Sequence, residues 1–366
     1  LDFTGGNPIP GSGLIFNGGA DASGDAITLQ NGAVTNLGFS FVNNNDGSIT
    51  IDGSTVTYTG LEPVTSTITA ANVSFDFTGG AVQDYLAEGM TGRSLCVGNS
   101  VRPLADGDSA YAAMLTAIEQ ATTSVSLCVY IFANDRAGRA FADALILAAE
   151  RGVAVRVLVD DVGSGYSWRS GPRLLDGSRV RLARFIPSMT PWHFRYSNLR
   201  NHRKILVVDG AIGFTGGMNI TAVNYLDEPL ETRAQDTHFE LRGPVVHQLQ
   251  DCFALDWKFT TGEDLAGYTW YGATQADGAV PARVVTDGPD EDLDRLQAVI
   301  LGAISCAASR ILVCVSYFVP DYALISALNT AARKGVQVDI VLPLMVDVRL
   351  VRWASVTVFS QLLSGG

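Results

Sequence analysis

The chain has 366 residues, with 25 lysine and arginine side chains against 37 aspartate and glutamate side chains, which gives a formal net charge of −12. This balance provides no basic field that would gather a polyanionic duplex, which argues against nucleic acid as a partner. No apolar run reaches the roughly 18 residues of a membrane-spanning helix. The five cysteines form no Cys-x-x-Cys pair, which argues against zinc, and the sequence calls for no cofactor.

Residues 1–80 form the first predicted domain, which we expect to be all-β. The first 92 residues hold nine acidic and no basic side chains, and several short stretches alternate polar and apolar residues. The string LDFTGG at residues 1–6 returns as FDFTGG at residues 75–80, which indicates a tandem array. This part resembles the β repeats of large bacterial surface proteins, and residues 81–95 are predicted to be a linker.

Four aspartates in this domain have two possible roles. They could serve an adhesive or calcium-binding module, or they could be solvated carboxylates in turns. No run of oxygen ligands has the spacing of a calcium loop, which favours turns. The four are Asp21, Asp25, Asp46 and Asp52.

The next region, residues 96–280, alternates predicted helices and strands. Residues 141–152 read as a helix that ends at Gly152, and residues 156–160 read as a strand. Asp160 and Asp161 follow that strand, where they either face a site at the carboxyl edge of a sheet or cap a helix. His238 lies in a later predicted strand, and we favour a structural role for it over a phosphate-binding one.

Residues 201–220, NHRKILVVDGAIGFTGGMNI, concentrate the side chains that can carry chemistry. His202 and Lys204 are two residues apart beside the predicted strand Ile205–Val208, so on an extended chain both side chains project to one face. A neutral imidazole is a good nucleophile for phosphorus, and a lysine beside it offers a positive charge to phosphate oxygens. We therefore predict His202 as the nucleophile and Lys204 as a phosphate ligand.

The rest of this segment completes a predicted phosphate site. Asp209 closes the strand and is expected to orient the charged pair. Gly216 and Gly217 let the backbone approach a ligand, and Asn219 can donate its amide to an anion. This design calls for no metal.

The spacing is His-x-Lys, four residues, Asp, six residues, Gly-Gly-x-Asn. It resembles the signature of the phospholipase D superfamily at every position. The strings YIFANDRAG, RVLVDDVGS, DTHFELRGPVV and SYFVPD are similar to the bacterial cardiolipin synthase branch, and the similarity runs from about residue 97 to the last residue. The resemblance implies an α/β fold, a phospholipase D-like duplicated mixed-sheet sandwich with flanking helices, here preceded by the small all-β domain.

The resemblance also implies an activity, a substrate and a place in the cell. One phosphatidylglycerol would be attacked to give a phosphatidyl-histidine, and an alcohol on a second lipid would displace it. The expected location is the cytoplasmic side of the bacterial inner membrane, peripherally bound, although the N-terminal repeat points to a secreted or surface context. Aromatic and arginine side chains in residues 185–204 suit either a headgroup interface or an ordinary loop.

The fold repeats along the chain. Residues 117–132 align with residues 303–318, so we predict a first half at residues 96–280 and an incomplete second half at residues 281–366. No second His-x-Lys occurs, and the repeat offset would place its counterpart near position ~385. We therefore expect this truncated form to be inactive unless two copies pair as a homodimer. The alternatives are a phospholipase D-type phosphodiesterase or dimeric nuclease, and a non-catalytic surface binding protein.

Overall fold

The computed structural model describes residues 8–9, 14–17, 25–29, 33–41, 47–59, 61–66, 69–77, 89, 91–165, 171–186, 200–229, 233–287, 294–343 and 349–363. The chain divides into two compact units, one of residues 93–284 and one of residues 1–92 with 285–366. The division into residues 1–80, 81–95, 96–280 and 281–366 stays a prediction.

The N-terminal part is built from strands, as its alternating sequence predicted. Its five-stranded sheet has the order β1-β5-β4-β3-β7, and β2 pairs with β6 in a separate sheet. Strands β3 and β7 pair in parallel, from Ala33 opposite Thr69 to Phe41 opposite Phe77, so the paired residues are 36 positions apart in the sequence. The strands are β1 Leu14–Asn17, β2 Asp25–Leu29, β3 Ala33–Phe41, β4 Gly47–Ile51, β5 Ser54–Thr59, β6 Leu61–Ser66 and β7 Thr69–Phe77.

Asp52 is a turn residue in this domain. It has a positive φ of 46° between β4 and β5, and its carboxylate accepts hydrogen bonds from the backbone N–H groups of Thr35 and Asn36. This is the local bonding by which aspartate stabilises turns. Asp21, Asp46 and the side chain of Asp25 lie outside the described residues.

Residues 93–284 form a mixed α/β unit around an eight-stranded sheet of order β11-β10-β9-β12-β13-β14-β8-β15. Strands β9, β10 and β11 are parallel, and β12 runs antiparallel to β9 and begins an antiparallel half. The elements are β8 Cys96–Leu104, α1 Gly107–Gln120, β9 Ser124–Val129, α2 Arg136–Glu150, β10 Ala154–Asp160, α3 Asp161–Gly165, β11 Arg181–Phe185, β12 Ile205–Val208, β13 Ile212–Gly216, β14 His238–Arg242, α4 Val245–Thr261 and β15 Val280–Ala282.

The central strands are apolar on both sides because helices cover both faces of the sheet. Leu206 and Val208 of β12 pack in the cluster that contains α1 and α2, whereas Ile205 and Val207 pack in the cluster that contains α4. The predicted strand Ile205–Val208 is confirmed with the same bounds. Sequence periodicity alone could not separate such a doubly buried strand from a short helix, and its β-branched residues decided the prediction correctly.

The C-terminal part repeats the order helix, strand, helix, strand of the segment from α1 to β10. Its two strands pair in parallel, with Arg310 opposite Gln337 and Cys314 opposite Val341. The elements are α5 Arg295–Cys306, β16 Arg310–Cys314, α6 Tyr322–Arg333, β17 Gln337–Val341 and α7 Arg349–Leu363. The α/β fold class, with a strand-rich N-terminal region, is confirmed. Within the described ranges, no helix combines the length and apolar character that a membrane crossing requires.

Candidate active site

The large sheet has five strands whose ends lie along the same border, and we call this border the catalytic edge. The five strands are β9, β10, β12, β13 and β14. The carboxyl ends of β9 and β10 meet there because these strands are parallel. The amino end of β12 meets them because it is antiparallel to β9, with Ile205 opposite Cys128. Gly216 at the end of β13 lies opposite His238 at the start of β14. His202, Lys204 and the Gly216–Gly217 pair therefore share this edge with the residues that follow β9 and β10.

His202 presents its imidazole to solvent at the catalytic edge. The residue is exposed, and its ring lies beside the ring of Tyr130, with centroids 4.8 Å apart and planes inclined by 52°. Tyr130 immediately follows β9, so the sheet fixes the position of its backbone. The imidazole is thus held on one side and open to a ligand on the other.

Lys204 lies beneath the histidine and is nearly enclosed, with 6% of its surface exposed. Its Nζ donates a hydrogen bond of 2.6 Å to the carbonyl oxygen of His202 and lies 5.5 Å from the centroid of the Tyr130 ring. An ammonium has three N–H donors, so two remain for a ligand. The site therefore offers a fixed positive charge next to an accessible imidazole.

The electrostatic environment favours a neutral His202. Packing around the ring and the nearby charge of Lys204 lower the pKa of His202, and Asp160 opposes the shift. Burial lowers the pKa of Lys204 to about 8, although the carboxylates of Asp236 and Asp160 favour its charged form. At neutral pH the pair is therefore a free imidazole beside an ammonium, the states that attack on a phosphate requires.

A buried network holds the backbone that carries His202. The amide of Asn201 donates 2.7 Å to the Asp256 carboxylate on α4, and its backbone N–H donates 3.1 Å to Asp160. Arg203 pairs with the same Asp256 carboxylate, so the residues on both sides of His202 are tied to α4. Asp160 also accepts from the N–H groups of Val162 and Gly163, so it caps a helix and faces the site at once.

The chain at the start of β14 lies so close to Gly216 and Gly217 that neither position has room for a side chain. A Cβ on Gly216 would lie 2.6 Å from the carbonyl oxygen of Thr237, and one on Gly217 would lie 2.2 Å from an Asp236 carboxylate oxygen. The glycines admit Asp236 and His238 to the catalytic edge. His238 is buried, its Nδ1 has no partner among the described residues, and burial together with Lys204 lowers its pKa to about 4. It is therefore neutral, which suits the structural role favoured for it.

Asn219 is held with a defined amide orientation. Its side-chain oxygen accepts 3.0 Å from the backbone N–H of Ile131, the residue after Tyr130. Its backbone carbonyl accepts 2.6 Å from the Tyr111 hydroxyl. Because the oxygen is engaged, the NH₂ group is the part left to donate to a ligand. The structure thus brings Asn219 to the side of the edge where Tyr130 faces His202.

Asp209 lies elsewhere, and its predicted contact with the charged pair is corrected. Strand β12 separates it from His202, and its carboxylate accepts hydrogen bonds from the N–H groups of Thr122, Thr123 and Ser124 and from both threonine hydroxyls. Burial opposes ionisation, but these bonds hold the pKa of Asp209 below its ordinary value. Sequence spacing placed Asp209 at the end of the strand correctly but could not show which end carries the site.

The match to a known family accounts for this arrangement. A model described as "Cardiolipin synthase, PLD-like domain" matches residues 114–257 and 300–366, which is more than half of the chain. The chain belongs to this family. The matched ranges include every motif residue from His202 to Asn219.

The chain is also similar to curated cardiolipin synthases. A cardiolipin synthase of Alkalihalophilus pseudofirmus is 36% identical over 73% of this chain and 54% of its own length. The major cardiolipin synthase of Bacillus subtilis is 34% identical over 73% of this chain and 56% of its own length. The chain therefore spans little more than half the length of these family members. A crystal structure of phosphatidylserine synthase from Haemophilus influenzae is 14% identical with a TM-score of 0.49 over 66% of this chain and 61% of its own, a likeness too weak to add to the assignment.

Several residues of the candidate site could not be identified from sequence spacing. Tyr130, Asp236 and Asp256 are each far from the motif in sequence and reach it only because strand order and α4 bring them there. Tyr130 directly follows β9 and Asp236 lies two residues before β14, so a known strand order would have indicated them. The aromatic and arginine residues at 192–196 lie outside the described residues.

Proposed function

We propose that the chain carries the phosphatidyl-accepting half of a cardiolipin synthase-type phosphatidyltransferase that acts on phosphatidylglycerol. The observation that carries this proposal is the exposed imidazole of His202 beside the buried amino group of Lys204, which donates to the His202 carbonyl oxygen. Their surroundings lower the pKa of both groups, which favours a neutral imidazole. The two-step chemistry of such a site needs a nucleophile that is also a good leaving group, which imidazole is.

In the first step, an imidazole nitrogen of His202 attacks the phosphorus of phosphatidylglycerol. The bond from phosphorus to the glycerol oxygen breaks, and free glycerol leaves after it gains a proton. Lys204 and the amide nitrogen of Asn219 bind the non-bridging oxygens, whose charge grows in the transition state. Gly216 and Gly217 leave room for Asp236 and His238 beside these groups.

In the second step, a primary hydroxyl of another phosphatidylglycerol attacks the same phosphorus. The phosphorus–nitrogen bond breaks, the hydroxyl proton passes to the group that protonated glycerol in the first step, the imidazole is restored, and the product is cardiolipin. Attack by water instead would give phosphatidic acid. Transfer therefore depends on a lipid alcohol reaching the exposed side of His202 before water does.

A proton donor for the glycerol oxygen is needed, and general acid catalysis of this kind contributes about 10² to 10⁴ in rate. The sequence holds one His-x-Lys motif, and the His238 imidazole is buried and neutral. A second copy of the chain that meets the first at the catalytic edge would supply an equivalent histidine, which makes a homodimer the simplest complete site within this sequence. We place the working enzyme peripherally on the cytoplasmic face of a bacterial inner membrane.

The test is incubation of the chain with labelled phosphatidylglycerol and separation of the products. Formation of cardiolipin and glycerol would support transfer. Formation of phosphatidic acid and glycerol would indicate that the site catalyses hydrolysis instead. A parallel incubation uses the p-nitrophenyl ester of phosphatidic acid, because p-nitrophenolate leaves without a proton donor. Absence of turnover and of a covalent adduct with both substrates would refute the proposed function.

A further inference from the structure

Helix α4 carries two large apolar side chains on its outer surface. Leu255 and Phe259 are one turn apart and are 62% and 71% exposed. The inner face of the same helix is buried through residues such as Phe253 and Trp257. The exposed pair is therefore not part of the core of residues 93–284.

This pair lies beside the catalytic edge. The Phe259 ring packs on Phe185 with centroids 5.6 Å apart, and Phe185 is the last residue of β11, paired with Asp160. Asp160 in turn accepts a hydrogen bond from Asn201, the neighbour of His202. Asp256, next to Leu255 on α4, binds the side chain of the same asparagine. Two independent chains of contacts thus connect the apolar pair to the backbone of the proposed nucleophile.

The described charged groups next to this pair are mostly paired. Lys258 forms an ion pair of 2.8 Å with Asp264, and the single carboxylate of Glu263 is shared by Arg156 and Arg181, which leaves one positive charge in excess. With a net charge of −12, the chain as a whole gains no long-range attraction to an anionic surface. We therefore expect apolar contact to dominate binding at this surface.

We propose that Leu255 and Phe259 form a bilayer-contact surface that seats the catalytic edge on a phospholipid membrane. This inference rests on the proposed function, because a phosphatidyl group keeps its acyl chains in the bilayer while its phosphate is attacked. Side chains that flank the edge must then enter the headgroup boundary, which favours exposed leucine and phenylalanine. A second copy of the chain is the alternative occupant, because the proposed homodimer also meets at this edge, and the sedimentation measurement below distinguishes it from a bilayer.

The experiment measures binding of the full chain to vesicles of phosphatidylcholine and to vesicles that also contain phosphatidylglycerol. The double variant Leu255→Gln/Phe259→Gln should bind both about 10-fold more weakly, since two partly inserted apolar side chains are lost. The matched control is Leu147→Gln, because Leu147 is 55% exposed near the end of α2, which leads into the opposite edge of the sheet. The control should bind as the wild type does.

Two further measurements complete the experiment: wild-type binding at low and high salt, and binding of a single-substitution variant. Wild-type binding should change less than about 2-fold between low and high salt, because apolar contact is not screened. Leu255→Gln alone should weaken binding about 3-fold, and it leaves the contact of Phe259 with Phe185 intact, so loss of folding cannot explain it. Vesicle binding that is unchanged in both variants, or that high salt abolishes, would overturn the proposal.

Two further outcomes separate this inference from the proposed function. His202→Ala should bind vesicles as the wild type does yet form no covalent adduct. If vesicle binding depends on Leu255 and Phe259 but the wild type forms no covalent adduct, the proposed function is wrong and the bilayer-contact surface is still supported. If the double variant changes the sedimentation mass of the chain while vesicle binding persists, the surface is an interface between two copies and the proposal is wrong.

Discussion

Two neighbouring residues divide the chemistry of the site between them. His202 must be neutral to attack, and Lys204 must be charged to bind the phosphate. The environment moves the pKa of both groups downward, which widens the neutral range for the histidine and brings the lysine close to physiological pH. The two groups therefore predict opposite limbs in a pH profile.

We predict a bell-shaped pH dependence for adduct formation with the p-nitrophenyl ester. The rate should rise with pH through the pKa of His202, below the ordinary histidine value of about 6.5, because protonated imidazole cannot attack. It should fall above about pH 8 as Lys204 loses its proton. Rapid-quench mass spectrometry across pH measures both limbs. In Lys204→Arg the alkaline limb should disappear, and a limb that stays near pH 8 would assign it to another group.

Tyr130 provides a second test at this scale. Its ring lies against the imidazole and under the ammonium, so Tyr130→Ala should slow adduct formation about 10- to 100-fold through lost positioning. Because water would replace the ring, the acid limb should move to higher pH. Tyr130→Phe keeps the ring and is the matched control. Equal rates for the alanine and phenylalanine variants would contradict this role.

The strand β12 shows what sequence could and could not establish about an element. Its bounds followed from four β-branched or leucine residues between polar ends, and the spacing of His202, Lys204 and Asp209 around it was read correctly. The direction of each side chain was not, because Asp209 faces the loop before β9 at the opposite end. Local pattern fixes an element, but only the order of its neighbours in the sheet decides which end becomes a site.

Asp209 is therefore predicted to stabilise the fold, not the transition state. Asp209→Ala leaves five donors at residues 122–124 without their acceptor and should lower the free energy of unfolding by about 2–4 kcal/mol, measured by urea denaturation. Because the folded pKa is lowered, this stabilisation is present above the unfolded value near 3.9 and is lost as pH falls through the folded pKa. Adduct formation by the folded fraction should change little. A stable variant with no adduct would restore the orienting role.

At the scale of the whole molecule, composition and repetition predicted the architecture well. The lack of basic residues before Arg93 separated a strand-rich region from the α/β part, and the internal repeat anticipated the recurrence of helix, strand, helix, strand. Two contacts could not be predicted, because they join residues that only the folded sheet brings together. These are the hydrogen bond from Asn201 to Asp256 and the approach of Asp236 to Gly217. Motif spacing thus identifies the chemistry, and tertiary contacts identify its supports.

The most direct test of the central claim is intact-protein mass spectrometry after incubation with the p-nitrophenyl ester of phosphatidic acid and quenching in neutral denaturant. The wild type should gain the mass of one phosphatidyl group, localised by digestion to the peptide with His202, with release of one equivalent of p-nitrophenolate. His202→Ala should gain none. An adduct of equal yield in His202→Ala, or one localised to another residue in the wild type, would contradict the account.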